Sequence, residues 1–479
     1  MAWCVEPDIT EALEPIRNDG LPIYRCRRAE YVLYYTPGLV CVVHSHEAQS
    51  FEASIASTED EANGRGLTWG GRLWQWAQDV IALAADRQEE PFQPECLTLY
   101  LHNQCTLRCS YCFADPQPMD TPALDLETIT AAAQLVAQNC REKDLRLYVV
   151  FHGGGEPTLD RHGLERILDV VDRIAAQYEV QPFYYLATSG VMSEETAVWL
   201  ARNVHLVGLS CDGPAEVHDA QRLLWNGSGS SALVERTGHI LREEGCPFHL
   251  RATITPTTWH RQAEIADYLC HQFSPEEIHI EPVYQGGRAG AEFRWDIRLV
   301  EPFVHHFLQA RAIARNHGIP LSCSGSRPAA IHGPYCHLFR QVLNLVPGDR
   351  QGPRTGVATA CFKTPNARSA RERGVAVGAR DPKTGRFEID SERVRWLRQK
   401  LDARPNRCLS CFNRYHCAGD CPDRCPLDSN SQSADEQGSG FRCRVQRAIV
   451  AATLDEQAAR LWNEIQRGKE QGPRGARIS

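Results

Sequence analysis

The chain of 479 residues lacks any apolar run of about 18 residues, the length that spans a bilayer, so no transmembrane helix is expected. Its start holds Glu6, Asp8, Glu11 and Glu14 with several Arg and no apolar stretch of the signal-peptide kind, so a cytoplasmic protein is expected. It also lacks a cationic excess: 52 Lys and Arg face 60 Asp and Glu, giving a net charge of −8. That balance argues against nucleic acid as a partner, because such a footprint needs a basic surface. No membrane partner is expected either, and the chain shows no internal repeat. Cysteine, in contrast, is abundant, with 20 residues, six of them between Cys408 and Cys443. Disulfides and metal ligation compete as explanations. With no secretion signal the thiols are expected to stay reduced. Their clustering then favours metal ligation.

From about Cys96 to Glu301, strand-like and helix-like segments alternate. Strands are expected at Leu97–His102, Leu147–Gly153, Phe183–Thr188, Leu206–Asp212, Leu250–Thr255 and Ile278–Tyr284. Helical patterns lie between them at Leu126–Cys140, Leu164–Gln177, Glu194–Arg202, Ala232–Glu244 and Arg261–Gln272. This is an α/β pattern that implies a parallel sheet, with functional loops after the strand C-termini. Residues 1–95 form a separate α+β segment, with a hairpin at Tyr31–Tyr35 and Leu39–His44 and a helix at Gly71–Arg87. After about residue 320 the alternation stops and a Cys-rich region follows, closed by a helix from Arg442 to Ile465. The polar stretch 468–479 reads as a flexible tail. The expected domains are therefore 1–95, 96–305, 306–467 and the tail.

Cys105-x3-Cys109-x2-Cys112 follows the first strand, with Tyr111 and Phe113 beside the last Cys. Such a loop can wrap three thiolates around one face of an iron–sulfur cubane. A cubane normally takes four Cys, so one iron stays open for a ligand. Phe151-His152-Gly153-Gly154-Gly155-Glu156-Pro157 closes the second strand. Its glycines permit close backbone approach, and the Glu156 carboxylate can meet an ammonium group. Thr188-Ser189-Gly190 and Ser210-Cys211-Asp212-Gly213-Pro214 end the third and fourth strands, and His218-Asp219-Ala220-Gln221-Arg222 follows. Asp212 could equally be a strand-end turn residue.

These motifs resemble those of radical S-adenosylmethionine (SAM) enzymes. The resemblance implies a partial (β/α)6 barrel, a [4Fe–4S] cluster on Cys105, Cys109 and Cys112, and SAM bound at its open iron. It implies cofactor contacts from Phe113, Gly154, Gly155, Glu156, Thr188, Ser189, Ser210, Arg222 and Ile254. Arg251 is a further adenine- or carboxylate-side contact, and Asp212 carries a catalytic role. Arg222 would offer a fork to the SAM carboxylate. Ser189 departs from the family's usual Asn.

Cys408-x2-Cys411-x5-Cys417-x3-Cys421, followed by Cys443 and preceded by Cys336 and Gly356-x4-Cys361, resembles the SPASM domain. That resemblance implies two auxiliary [4Fe–4S] clusters. Cys408, Cys411, Cys417 and Cys443 would hold one. Cys336, Cys361 and Cys421 would hold the other, with Cys323 or Cys425 as a fourth ligand. Two zinc ions could use the same thiolates, but the Cys105 loop in the same chain favours iron. The scattered thiols Cys4, Cys26, Cys41, Cys96, Cys140, Cys211, Cys246 and Cys270 read as small buried residues. Of these, Cys211 lies at a strand end facing the site.

The resemblance implies reductive SAM cleavage and hydrogen abstraction, with a reductant such as flavodoxin or ferredoxin as partner. It implies a precursor peptide or protein as substrate and a thioether or carbon–carbon cross-link as product. A formylglycine-forming activity is the alternative, but Cys361 is followed by Phe362 where that type has Asp. A small-molecule dehydrogenase is the other. Residues 1–95 could bind a leader peptide through an edge strand or simply cap the barrel.

Overall fold

The continuous apolar runs Tyr31–Thr36 and Leu39–His44 are almost wholly buried and pair as the expected hairpin. In the computed structural model, residues 13–16, 20–55, 68–114, 116, 122–283, 286–331, 336–349, 355–401, 406–417, 440–468 and 474–477 are described. β1 (Glu14–Pro15), β2 (Tyr24–Arg27), β3 (Tyr31–Thr36) and β4 (Leu39–His44) form an antiparallel sheet, followed by helices Ala48–Ser54 and Trp69–Glu89. The Trp76 indole caps the hairpin turn through Pro37 O at 2.7 Å.

All six barrel strands form where the apolar runs place them: β5 (Cys96–Leu99), β6 (Leu147–Phe151), β7 (Pro182–Thr188), β8 (Leu206–Ser210), β9 (Phe248–Ile254) and β10 (Glu277–Pro282). They pair in parallel and in sequence order. Side-chain caps start the helices after the first three of them. Asp125 accepts from Thr128 N for Leu126–Glu142, and Ser193 accepts from Thr196 N for Glu194–Asn203. Apolar residues of strands and helices share one large core.

Past the sixth strand the structure departs from the expected domains. The helix Val300–Asn316 runs across the 305/306 boundary, and β11 (Leu321–Ser322) adds to β10 in parallel. β12 (Val342–Val346) returns to the other edge and pairs in parallel with β5. β13 (Val357–Thr359), β14 (Ala376–Arg380) and β15 (Phe387–Ile389) extend it antiparallel, so one 11-stranded sheet crosses both expected domains. β12 is a short, almost wholly buried apolar run, which sequence periodicity cannot assign to a sheet on its own.

The helix Phe441–Gln466 begins in the barrel core, where Phe441 stacks on Trp295 at 4.3 Å. It ends in the core of the N-terminal sheet, through Leu454, Leu461 and Ile465. The tail expected to be flexible instead supplies β16 (Arg474–Arg477), which pairs antiparallel with β4. The free edge of β4 explains this, since unpaired backbone groups accept any compatible strand. No described helix is long and apolar enough to cross a membrane.

Candidate active site

Strand periodicity builds the site. Along β6 to β9, the residues Val150, His152, Tyr185, Ala187, Gly208, Ser210, Arg251 and Thr253 stand at two-residue spacing and face one cavity of about 400 Å³. A Cβ on Gly208 would fall 2.0 Å from the Tyr185 hydroxyl, so any larger residue there would displace that ring from the cavity. Cys105, Cys109 and Cys112 line the same cavity, as do Phe113, Gly154, Gly155 and Glu156. Thr188, Ser189, Ser210 and Arg222 complete that wall.

The Gly turn is fitted against the Cys loop. Glu156 N donates to Gln104 O at 2.7 Å, and a Cβ on Gly155 would fall 2.0 Å from that same carbonyl oxygen. The buried Glu156 carboxylate ties the turn to the third strand. Its Oε1 accepts from Thr158 N at 3.2 Å, Thr158 Oγ1 at 2.8 Å and Thr188 Oγ1 at 2.8 Å. Its Oε2 accepts from Ser189 N at 2.6 Å. Oε2 therefore keeps a lone pair for a further donor.

Asp212 and Ile254 do not line the cavity. Ile254 is fully buried in the sheet core. Asp212 is fully buried beneath the Cys loop, where Tyr111 donates to Oδ2 at 2.6 Å, Gln221 at 2.9 Å, and Thr253 N to Oδ1 at 2.9 Å. Arg222 in turn donates to the Tyr111 hydroxyl at 2.7 Å and stands 4.0 Å from Asp212. Burial holds the Tyr111 phenol well above its usual pKa, so it stays a donor to Asp212. Arg222 Nε is buried without a hydrogen-bond partner at the cavity wall. His218 and Asp219 also turn out to be structural: His218 Nδ1 accepts from Asp212 N at 3.3 Å, and Asp219 holds Ser230 N and Ser231 N. Cys211 is buried with its thiol on Gly213 O at 3.6 Å and does not reach the cavity.

Several cavity residues were given no role by the motifs, His152 within the Gly turn's own motif among them. His152 and His337 are held neutral; burial lowers each to about 4, helped by Arg251 near His152 and by Arg340 near His337. The Nδ1 atoms of both are buried without a hydrogen-bond partner. Phe362 packs on Phe113 at 5.6 Å and on His337 at 6.3 Å. Glu281 ends β10, paired with Arg442 and bonded to His279 at 2.9 Å. Burial would raise its carboxyl, but Arg442 and His279 hold it well below the usual range. Reading each strand for its lumen-facing positions would have found His152, Tyr185 and Glu281. The placement of His337 and Phe362 needed the β12–β5 pairing.

The Cys-rich region is partly described. The Cys336 thiol lies 3.4 Å from Ala360 O, next to Cys361. The loop carrying Cys411 and Cys417 is tied to the one carrying Cys323 by Asn413, which donates to Gly325 O at 3.0 Å. Cys408 and Cys443 are half-buried. Cys4, Cys421 and Cys425 lie outside the described residues.

Among the described residues no three cysteine sulfurs lie within 4.8 Å of one another. A single zinc ion with sulfur bonds of about 2.3 Å would draw its ligands to about 3.8 Å. Three thiols lining one cavity fit the donor set of a multi-iron cluster. The radical SAM superfamily pattern matches residues 99–269.

That stretch is a radical SAM domain. Proteins of this family bind SAM and a [4Fe–4S] cluster. The chain is 25% identical over 170 residues to a cysteine-type anaerobic sulfatase-maturating enzyme of Clostridium perfringens, covering 34% of this chain and 45% of that one. It is 26% identical over 174 residues to an uncharacterized protein of Methanocaldococcus jannaschii, covering 36% of this chain and 57% of that one. The chain thus matches little more than half the length of these relatives, or less. A structure of native anSMEcpe with bound AdoMet and Kp18Cys peptide superposes with a TM-score of 0.58 at 17% identity, covering 76% of this chain and 99% of that one. The radical SAM fold therefore extends past the matched domain into the Cys-rich region.

Proposed function

We propose that this protein is a radical SAM maturase that oxidises a ribosomally made precursor peptide or protein, forming a thioether or carbon–carbon cross-link. The observation that carries the reading is one cavity that joins the Cys105–Cys112 loop, the Gly-Gly-Glu-Pro turn and Arg222 to His337 and Phe362 of the Cys-rich region. When bound, the cluster and SAM supply a 5′-deoxyadenosyl radical able to take hydrogen from an unactivated carbon. The protein's own groups position it. Glu156 Oε2 would accept from the SAM ammonium, and Arg222 would hold the SAM carboxylate. Asp212 is a positioning residue, because it holds Tyr111 and Arg222 without reaching the cavity. His152 and His337 are the neutral acceptors available for a substrate proton.

The relatives' sulfatase-maturating activity favours formylglycine formation as a second reading. Phe362, packed in the cavity wall where that type has Asp, supports the cross-link instead. Co-expression with a short peptide encoded beside this gene, followed by mass spectrometry, separates the two. A loss of about two hydrogens per event with a new intramolecular bond indicates cross-linking, and an aldehyde formed on a Cys or Ser indicates formylglycine.

Glu156→Gln keeps the Oε1 acceptor for Thr158 and Thr188 and removes the charge. SAM affinity is expected to fall by about 1.5–3 kcal/mol, the range for hydrogen bonds to charged groups, with iron content unchanged. Calorimetric titration of SAM that shows wild-type affinity would leave Glu156 as a lock on the turn alone. We also assign two auxiliary [4Fe–4S] clusters to the Cys-rich region. Cys408→Ala or Cys417→Ala is expected to spare deoxyadenosine formation and block product, since an oxidised substrate then lacks an electron acceptor. A folded Cys408→Ala protein with full product yield would refute that role.

A further inference from the structure

The helices Gln262–Phe273 and Val300–Asn316 come before and after β10 in the chain and pack side by side. In a parallel β/α unit each helix runs back against its strands, so both helices end near the strand N-termini. The cavity lies at the other end, among the strand C-termini. Asp267 and His271 stand four residues apart on one face of the first helix, and His317 is the C-cap of the second. All three are exposed.

The three side chains converge. The two imidazole rings meet edge to face with centroids 4.5 Å apart, and Asp267 Oδ1 lies 3.4 Å from His271 Nδ1. Among the described residues, this is the one group of three His, Cys, Asp or Glu side chains whose ligand atoms all lie within 4.8 Å of one another. His271 Nδ1 donates to the backbone oxygen of Asp267 at 2.9 Å, which leaves the ring's lone pair on Nε2. Metal-ligating imidazoles are commonly held by such a bond. An exposed His–carboxylate pair is by itself ordinary helix surface. His162 and Glu165 form one at 3.0 Å, with no third ligand in the same reach among the described residues. His317 is what sets Asp267 and His271 apart, because it reaches them from a second helix. Two helix C-termini also meet here, and the partial negative charge of each favours a cation.

We propose that Asp267, His271 and His317 form a surface site for a divalent transition-metal ion of the zinc class, separate from the iron–sulfur ligands and from the cavity. Imidazole nitrogen suits zinc, nickel and copper, whereas calcium and magnesium call for oxygen donors. Three protein ligands leave the fourth position to water, the pattern of an open zinc site. Zinc bonds of about 2.0–2.1 Å bring tetrahedral ligands to about 3.3 Å, a spacing that rotation of exposed side chains can reach. The bound ion ties together the ends of two helices on either side of β10.

The test uses the cluster-loaded protein under anaerobic conditions, so that the iron ligands are occupied, with zinc chloride as the probe. Zinc kept after desalting is counted by elemental analysis, affinity is read by calorimetry, and the thermal midpoint is taken with and without zinc. Wild type is expected to hold about one zinc per chain that His317→Ala does not, with equal iron in the two. Affinity should fall by about tenfold or more in His317→Ala and in Asp267→Asn, since loss of even an outer-shell partner costs that much. Zinc should raise the thermal midpoint of wild type and not that of His317→Ala, because only the folded chain brings the ligands together. His162→Ala, which breaks the pair that lacks a third ligand, should keep full zinc affinity. If His317→Ala does not fold, His271→Gln gives the same reading at nearly constant size. A wild-type protein that retains no zinc overturns the proposal, and so does equal zinc content and affinity in wild type and the folded variant.

Discussion

Replacing Cys105, Cys109 and Cys112 together by alanine is expected to remove about four irons per chain and to abolish SAM cleavage. The argument runs through geometry. The three thiols line one cavity together with the glycine turn that packs against their loop, the placement expected of ligands to a single cluster. In the absence of metal, burial and then the nearby Glu156 charge push the Cys105 thiol up to about 12, and burial pushes Cys109 up to about 11 despite Arg222. Loading the cluster must release those protons, so the metal and not the pocket supplies the thiolate state. Iron and sulfide analysis of anaerobically reconstituted protein, with deoxyadenosine measured by chromatography, gives the answer. Wild-type protein is expected to hold about twelve irons if two auxiliary cubanes are also present. Anaerobically purified protein containing zinc and no iron would sink the assignment.

The second large effect is expected at Asp212. Asp212→Ala removes the acceptor of three hydrogen bonds and leaves Arg222 beside an emptied, fully buried position. Breaking a buried charge pair from one side costs about 3–5 kcal/mol, so the urea midpoint of the holoprotein should fall sharply. Asp212→Asn is the informative companion. If Asp212 positions Tyr111 and Arg222, the Asn variant weakens SAM binding and lowers deoxyadenosine and product together. If Asp212 instead takes a substrate proton, deoxyadenosine formation persists at the wild-type rate and only product is lost. That outcome would return Asp212 to catalysis.

The sequence was most legible where chemistry and chain order coincide. The Cys loop, the glycine turn and Thr188-Ser189 each follow a strand, and parallel β/α units put every strand C-terminus at one end. Their convergence on one cavity was therefore readable from order alone. Arg222 was readable too, but its partner Tyr111 was not, because the two residues lie 111 positions apart and meet only through the wall they share. Asp212 and Ile254 stand outside the cavity for a simple reason. A motif fixes the residue but not the face of the strand end on which it stands, and one residue of shift moves a side chain from lumen to core.

Sequence by itself determined the radical SAM domain, its strand order, the thiol loop and the acidic balance of the chain. These depend on local spacing and on the strand and helix periods. Only the tertiary structure decided that β12 joins β5, that the helix Val300–Asn316 crosses the expected domain boundary, and that residues 474–477 close the edge of β4. It alone set His337 and Phe362 in one cavity with the Gly turn, and Glu281 against Arg442. Each of these depends on which buried edge or unpaired backbone is left open after the local elements form. That is a property of the assembled sheet and core, and no segment of the chain carries it alone.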